Sequence, residues 1–158
     1  MCPAELCRVL AYHDEWTMDY EPLYLAGVRL FNEREFFDCH EVLEDLWNQC
    51  PDRDRRFYQG LLQAAVALYH FGHGNLRGAS KLFRTGRAYM EQYPSPHLGL
   101  NRERFWSDME TCFAAVHTET DLLRRDLLPE PELIPTIALD PPPAEWPDPR
   151  EFLHDDEE

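Results

Sequence analysis

One imidazole and two carboxylates fall within five residues of one predicted helix, at His40, Glu41 and Glu44. A helix places His40 and Glu44, four residues apart, on one face, where they would bind a single divalent ion such as zinc or manganese. His70, on a neighbouring predicted helix, is the candidate third ligand. Glu41 directly follows the histidine, as the general base does in a His-Glu-x-x-His helix. The spacing therefore predicts a metal centre that activates water.

The apolar pattern of the same predicted helix indicates that the side chains of His40 and Glu44 are buried. Glu44 stands where a second histidine would complete the metalloprotease signature, so protease chemistry does not follow. A helical wheel at 100° per residue places His40 and Glu44 between the apolar residues Trp47 and Phe37. A carboxylate in such a dry site is costly unless it is paired, hydrogen-bonded or bound to a metal. We therefore expect a specific partner for each of them.

A second predicted helix, over 52–73, is apolar on most sides but carries a narrow stripe of four polar residues, Arg56, Gln59, Gln63 and His70. Because the connection at 50–53 is short, this helix should neighbour the helix that carries His40, and we predict that the stripe faces His40 and Glu44. In one interpretation, the arginine and the two glutamines orient substrate or ligands at the metal centre. In the other, the arginine pairs with Glu44 and the remaining groups close a structural hydrogen-bond network.

The elements that would carry these residues are helices. Apolar residues spaced three or four apart, with breaks at prolines and glycines, predict helices over 19–32, 35–50, 52–73, 76–92 and 101–127, and a short one over 4–16. Short loops make neighbouring helices antiparallel, and the similar surroundings of Asn32 and Asn75 favour two helix-turn-helix pairs. The predicted fold is an all-α antiparallel bundle of about five to six helices with an extended acidic C-terminal tail.

The chain changes character at Pro129. From there to Glu158 it contains eight of its 13 prolines, ten acidic residues and one basic residue. Proline density prevents helix formation, and like charges extend the chain. We therefore divide the chain into an N-terminal helix (1–18), a bundle domain (19–128) and a Pro-rich acidic strap and tail (129–158). Residues 129–140 are expected to lie along the bundle, and those beyond Asp140 to be mostly disordered.

Charge and cysteine content exclude several functional classes. With 30 acidic and 15 basic residues, the net charge of −15 repels nucleic acid and anionic membranes. The sequence offers one basic cluster, Arg53, Arg55 and Arg56, and acidic residues interrupt it. Five cysteines without a CxxC pair predict neither a disulfide framework nor a Cys-type zinc site. The first residues show no signal-peptide or transmembrane pattern, so we expect a cytoplasmic protein.

An ordered set of residues runs through the first four helices of the bundle: Phe31-Asn32, Phe36-Phe37, His40-Glu41, Leu43-Glu44, Trp47, Arg56-Phe57, Gln59-Gly60-Leu61, Gln63-Ala64, Ala67-Leu68, His70, Gly74-Asn75 and Gly78-Ala79. This set resembles the domain of unknown function 309 family, over residues 20–92 of the chain. Members of that family are small helical proteins, and the group is labelled as predicted metal-dependent hydrolases. The resemblance implies that the site positions match the family pattern, namely His40, Glu41, Glu44, Arg56, Gln59, Gln63 and His70.

Two functional hypotheses follow. The first is a metal-assisted hydrolase of a small substrate, with a divalent ion held by His40, Glu44 and His70 and with water activated by Glu41. The second is a non-catalytic helical adaptor whose buried polar network only fixes helix register. A small-molecule substrate or a protein partner fits these hypotheses, whereas nucleic acid and membranes do not. A homo-oligomer is compatible with both.

Overall fold

The computed structural model describes residues 20–50 and 52–154, and this part of the chain is helical. Its five α-helices are α1 (Pro22–Asn32), α2 (Phe36–Gln49), α3 (Arg55–Gly72), α4 (Leu76–Met90) and α5 (Arg102–Thr118). Its one pairing of β type is an isolated bridge between His97 and Leu100. The predicted all-α class is confirmed. The helix predicted over 4–16 and the last acidic residues, 155–158, lie outside the described residues.

Local signals set where the helices begin. Pro22 occupies the first turn of α1, where its missing N–H leaves no bond unmade, and the Glu21 carboxylate accepts from the Leu23 amide at 3.3 Å. Asn75 caps α4 by accepting from the Gly78 amide at 3.0 Å. The turn before it requires a positive φ of 75°, which Gly74 adopts without steric cost. The predicted helix starts are therefore close to the observed ones.

Two short turns produce two helical hairpins, α1–α2 and α3–α4, and α3 lies between α2 and α4. Aromatic pairs join both hairpins to α5. The ring of Phe31 in α1 lies 5.6 Å from that of Phe105, and the ring of Phe71 in α3 lies 5.1 Å from that of Phe113. One apolar core therefore extends through all five helices, as a bundle requires.

The α3–α4 hairpin crosses at two glycines. A Cβ on Gly86 would stand 2.9 Å from the carbonyl oxygen of Gly60, and one on Gly60 would stand 2.8 Å from that of Gly86. Both distances are shorter than any normal carbon–oxygen contact, so neither position has room for a side chain. The backbones approach this closely because both residues are glycine.

Helix α5 ends at Thr118, nine residues before the predicted end. Side chains past this point bond to nearby backbone groups and so compete with helical bonds. The Glu119 carboxylate accepts from the Asp121 amide at 3.0 Å, and the Asp121 carboxylate accepts from the Leu123 amide at 3.1 Å. The apolar pattern of 122–128 suggested a helix, but these local bonds favour a turn.

The C-terminal segment folds back along the bundle. In the strap, 129–140, the side-chain amide of Asn32 accepts from the Ile137 amide at 2.8 Å and donates to its carbonyl at 2.9 Å. Ile137 and Leu139 are buried. The amide of Asn32 thus pairs with the strap as a neighbouring strand would.

The tail beyond Asp140 was expected to be mostly disordered, and this prediction is wrong for 141–154. Pro149 is buried in a short 3₁₀ turn, and Phe152 packs against the core. The Arg29 guanidinium donates to the Pro147 carbonyl at 3.0 Å. Prolines lose little backbone entropy on ordering, so a Pro-rich segment with a few apolar side chains can dock without forming a helix.

Candidate functional site

The first group of predicted site residues lies on α2, and it is more exposed than predicted. The His40 Nε2 atom stands 3.8 Å from Glu44 Oε1, and the two side chains are 27% and 49% exposed. Glu41 is half-buried beside them. The prediction that Glu44 is buried is therefore wrong. The pair forms an ion pair only when the imidazole is protonated.

The error came from two aromatic residues on the helical wheel. The fully buried side chains of α2 span an arc of only about 100°, and His40 and Glu44 lie outside it. They are Cys39, Val42, Leu43 and Leu46. The wider predicted arc counted Phe37 and Trp47 as core, but Phe37 is 47% exposed and Trp47 is half-buried. An amphipathic arc that includes exposed aromatics overestimates the buried face.

Two polar atoms on this part of α2 are buried without a hydrogen-bond partner, Nδ1 of His40 and Nε1 of Trp47. The two residues are seven apart and share one helix face. The His40 ring stands 5.6 Å from that of Phe37, whose ring in turn lies 5.6 Å from that of Tyr69 in α3. The guanidinium of Arg55 lies 4.1 Å above the Trp47 ring. The His40 ring therefore neighbours an aromatic ring, and the Trp47 ring neighbours a cation.

The polar stripe of α3 was predicted to face α2, and this prediction is wrong for the residues whose contacts define a direction. The Thr85 hydroxyl of α4 donates to the Gln63 side-chain carbonyl. Arg56 is exposed, and its guanidinium lies 5.1 Å from the ring centroid of Tyr89, also in α4. The short connection at 50–53 makes α2 and α3 neighbours, as predicted, but it does not decide which face of α3 meets α2. Gln59, on the same stripe, is half-buried.

His70 lies at the turn between α3 and α4. Its Nδ1 atom stands 3.3 Å from the side-chain amide nitrogen of Asn75, and a Cβ on Gly78 would lie 2.8 Å from its ring. Burial, and secondly the positive charge that nearby His73 can carry, lower the pKa of His70 below its ordinary value of 6.5. The neutral imidazole is therefore the stable form near pH 7. It closes the α3–α4 turn.

These positions bring together two of the three predicted metal ligands. Among residues 20–50 and 52–154, no group of three or more His, Cys, Asp or Glu side chains is arranged to hold a metal ion. The side chains of His40, Glu44 and His70 therefore do not fit a three-ligand metal site in the positions that they occupy. The roles of His40, Glu44 and His70 as ligands and of Glu41 as a base stay predictions.

A cavity of about 470 Å³ lies on another side of the molecule, and none of the predicted site residues lines it. Its walls come from the turn 95–101, the first turns of α5 and the strap.

No helix in the described part of the chain is long and apolar enough to cross a membrane.

One carboxylate–imidazole pair was missed from the sequence. The Nε2 atom of His97 lies 2.8 Å from Oδ1 of Asp54, and the His97 ring stands 4.8 Å from that of Phe57. Asp54 is the one charged residue that is buried among those the structure describes. Because the two residues are 43 positions apart, no local sequence pattern predicts that they pair.

Residues 24–82 match the model of a family described as "Domain of unknown function (DUF309)". Over this segment the chain is similar to the DUF309 family. The match covers α1, α2, α3 and the first half of α4, and it contains every predicted site residue. The resemblance inferred from the ordered residues is therefore confirmed.

Two curated relatives that are similar to about half of this chain are described as uncharacterized. The chain is 34% identical over 88 residues to "Uncharacterized protein YpuF" of Bacillus subtilis (strain 168), covering 54% of this chain and 51% of that protein. It is 29% identical over 72 residues to an "Uncharacterized protein" of Aquifex aeolicus (strain VF5), covering 45% and 22% respectively. The chain thus spans about half or less of these relatives. No solved structure gives a significant match.

Proposed function

We propose that this protein is a non-catalytic helical interaction protein, and that the polar residues of α3 stabilise the packing of its helices. One observation carries the proposal: the contacts made by the stripe join α3 to α4, where Gln63 accepts from Thr85 and Arg56 stacks on Tyr89. Hydrogen bonds between packed helices fix their register.

A double-mutant cycle tests the structural role of this contact. Gln63→Leu and Thr85→Val each remove one partner, and the double variant removes both. We expect each single variant to lose about 1–3 kcal/mol of unfolding free energy, because a half-buried polar group is left unpaired. The double variant should recover part of that loss, with a coupling energy of about 0.5 kcal/mol or more. Additive losses would refute the proposal that this bond fixes the register of the hairpin.

A second candidate function, metal-assisted hydrolysis of a small substrate, is favoured by one specific observation. His40 combines an unpartnered buried Nδ1 with an Nε2 atom 3.8 Å from Glu44, and Glu41 follows it directly. An imidazole and a carboxylate one helical turn apart are suitable donors for zinc or manganese.

Thermal melts with divalent ions and chelator distinguish the two functions. A metal that binds only the folded state raises the melting temperature with its concentration. For an interaction protein we expect no such rise in the wild type. A zinc- or manganese-dependent rise that is lost in His40→Ala would favour the hydrolase. Glu41→Gln should then keep the rise and lose hydrolysis, because a general base is not a ligand.

A further inference from the structure

The α3–α4 hairpin differs from the rest of the chain in charge. Residues 55–90 contain six of the 15 Lys and Arg residues and none of the 30 Asp and Glu residues. The remaining nine bases and 30 acids give the rest of the chain a net charge of −21. The expectation of a single basic cluster at Arg53, Arg55 and Arg56 is therefore wrong. That expectation was based on basic residues that are adjacent in the sequence, whereas the basic residues of α4 are three or four residues apart.

Three of these basic residues share one face of α4. Arg77, Lys81 and Arg84 are all exposed. At 100° per residue they fall within about 60° of one another, and successive members are about one helical turn apart. The buried side of α4 is nearly opposite and includes Phe83 and Met90. Packing therefore turns the three cations toward solvent as one row.

Among residues 20–50 and 52–154, this row has no counter-charge. Within the part of the chain that the structure describes, none of the three residues makes a salt bridge. Arg84 donates to the neutral Ser80 hydroxyl at 2.8 Å. At the edge of the row, the carboxylates of Glu91 and Glu110 are both bound by Arg87, at 3.2 and 2.6 Å. These two carboxylates are thus paired with Arg87, and neither makes a salt bridge with the row.

We propose that Arg77, Lys81 and Arg84, named here the basic row, dock a short acidic segment of a partner protein. This rests on the proposed function in one respect, that the protein binds a partner and does not turn over a substrate. Cations about 5–6 Å apart match carboxylates at successive turns of an acidic helix or at alternate residues of an extended strand. The complementary charge on the partner would steer association and set its register.

The dimensions of the row favour a peptide over a nucleic acid. From Arg77 to Arg84 it extends only about 10 Å along the helix axis. A nucleic acid is a uniform polyanion that continues past such a row, and the rest of this molecule would repel it with a net charge of −21. A membrane surface is also disfavoured, because the exposed large apolar residues that would insert are Phe37, Leu123, Leu128 and Trp146, none of them in α4.

Fluorescence anisotropy with a labelled decaglutamate peptide tests the proposal on the full chain. The test variant is Arg77→Gln/Lys81→Gln/Arg84→Gln. The matched control, Arg104→Gln/Arg124→Gln/Arg150→Gln, removes three exposed arginines elsewhere and reaches the same net charge of −18. We expect the wild type to bind the peptide and to lose affinity with added salt. The basic-row variant should bind at least about tenfold more weakly, and the control less than about threefold.

Every outcome of this experiment decides the proposal. Equal weakening in both triple variants would show an effect of net charge alone, and absence of wild-type binding at low salt would refute the docking surface. A labelled oligonucleotide of ten nucleotides serves as competitor. If it binds the wild type more tightly than the peptide does, the surface recognises nucleic acid and the proposal fails. A failure here leaves the proposed function standing, because that function is tested by the stability of Gln63 and Thr85 variants and by ion-dependent melts.

Discussion

The glycine crossing of α3 and α4 yields a prediction whose sign can be worked out from two opposing effects. Replacing Gly86 by alanine in the interior of α4 gains about 1 kcal/mol of helix propensity. The new methyl group, however, would lie 2.9 Å from the Gly60 carbonyl oxygen and 3.2 Å from Cβ of Gln63. The contacting oxygen belongs to the backbone and cannot rotate away, so the two helices must separate. Overpacking of this kind costs about 1–3 kcal/mol.

We therefore expect Gly86→Ala to lose up to about 2 kcal/mol of unfolding free energy, which lowers the melting temperature by a few degrees in a chain of this size. Gly72→Ala is the matched control, because nothing lies within 4 Å of a Cβ added at this last residue of α3. It should be neutral or stabilising by up to about 1 kcal/mol. Urea unfolding of both variants measures the difference. If Gly86→Ala is as stable as Gly72→Ala, the close crossing does not exist and the contacts of the α3 stripe with α4 lose their basis.

Three further predictions concern the tail, the α3–α4 turn and the aromatic surface of α2. Deleting 141–158 should lower the melting temperature by several degrees in a thermal melt, since docked apolar side chains contribute about 2 kcal/mol or more; an unchanged melt would contradict the docking. Because the pKa of His70 is lowered, the unfolded chain binds its proton first as pH falls below 6.5, so stability should decrease below that pH in urea titrations, and less so in His70→Gln. Trp47→Ala should cost about 1–3 kcal/mol, less than truncation of a fully buried aromatic because Trp47 is half-buried, and a loss under about 1 kcal/mol would place the ring outside the packed structure.

Periodicity and turn residues were sufficient to predict the helices, because each depends on local sequence. The start of α4 at Leu76, for example, follows from Gly74 and Asn75 alone. The end of α5 was not predictable from apolar spacing, since side-chain bonds of Glu119 and Asp121 to the backbone favour a turn there. The order of the chain past Asp140 was missed for another reason: Pro149 and its neighbours are stabilised by docking on a surface that only the folded bundle provides.

The candidate site shows the same division. Sequence spacing correctly places His40 one turn from Glu44, since both lie on one helix. It could not show that Glu44 is exposed, because exposure depends on whether Phe37 packs inside or outside. The direction of Gln63 depended on which neighbour approaches α3 most closely, and glycine at position 86 decides that in favour of α4. Long-range geometry of this kind has no signature in a single sequence.

The segment that matches DUF309 ends before the second glycine of the α3–α4 crossing. This difference bears on which segment of the chain could fold on its own. The match stops at residue 82, inside α4, whereas the crossing needs Gly86 and the core needs Phe105 against Phe31. A fragment cut at 24–82 would therefore keep the residues that match the family model but lose half of α4 and the Phe105 ring that packs against α1. The segment that matches the family is shorter than the segment that packs around one core, so the ends of the match are a poor guide to an autonomously folding domain in this chain.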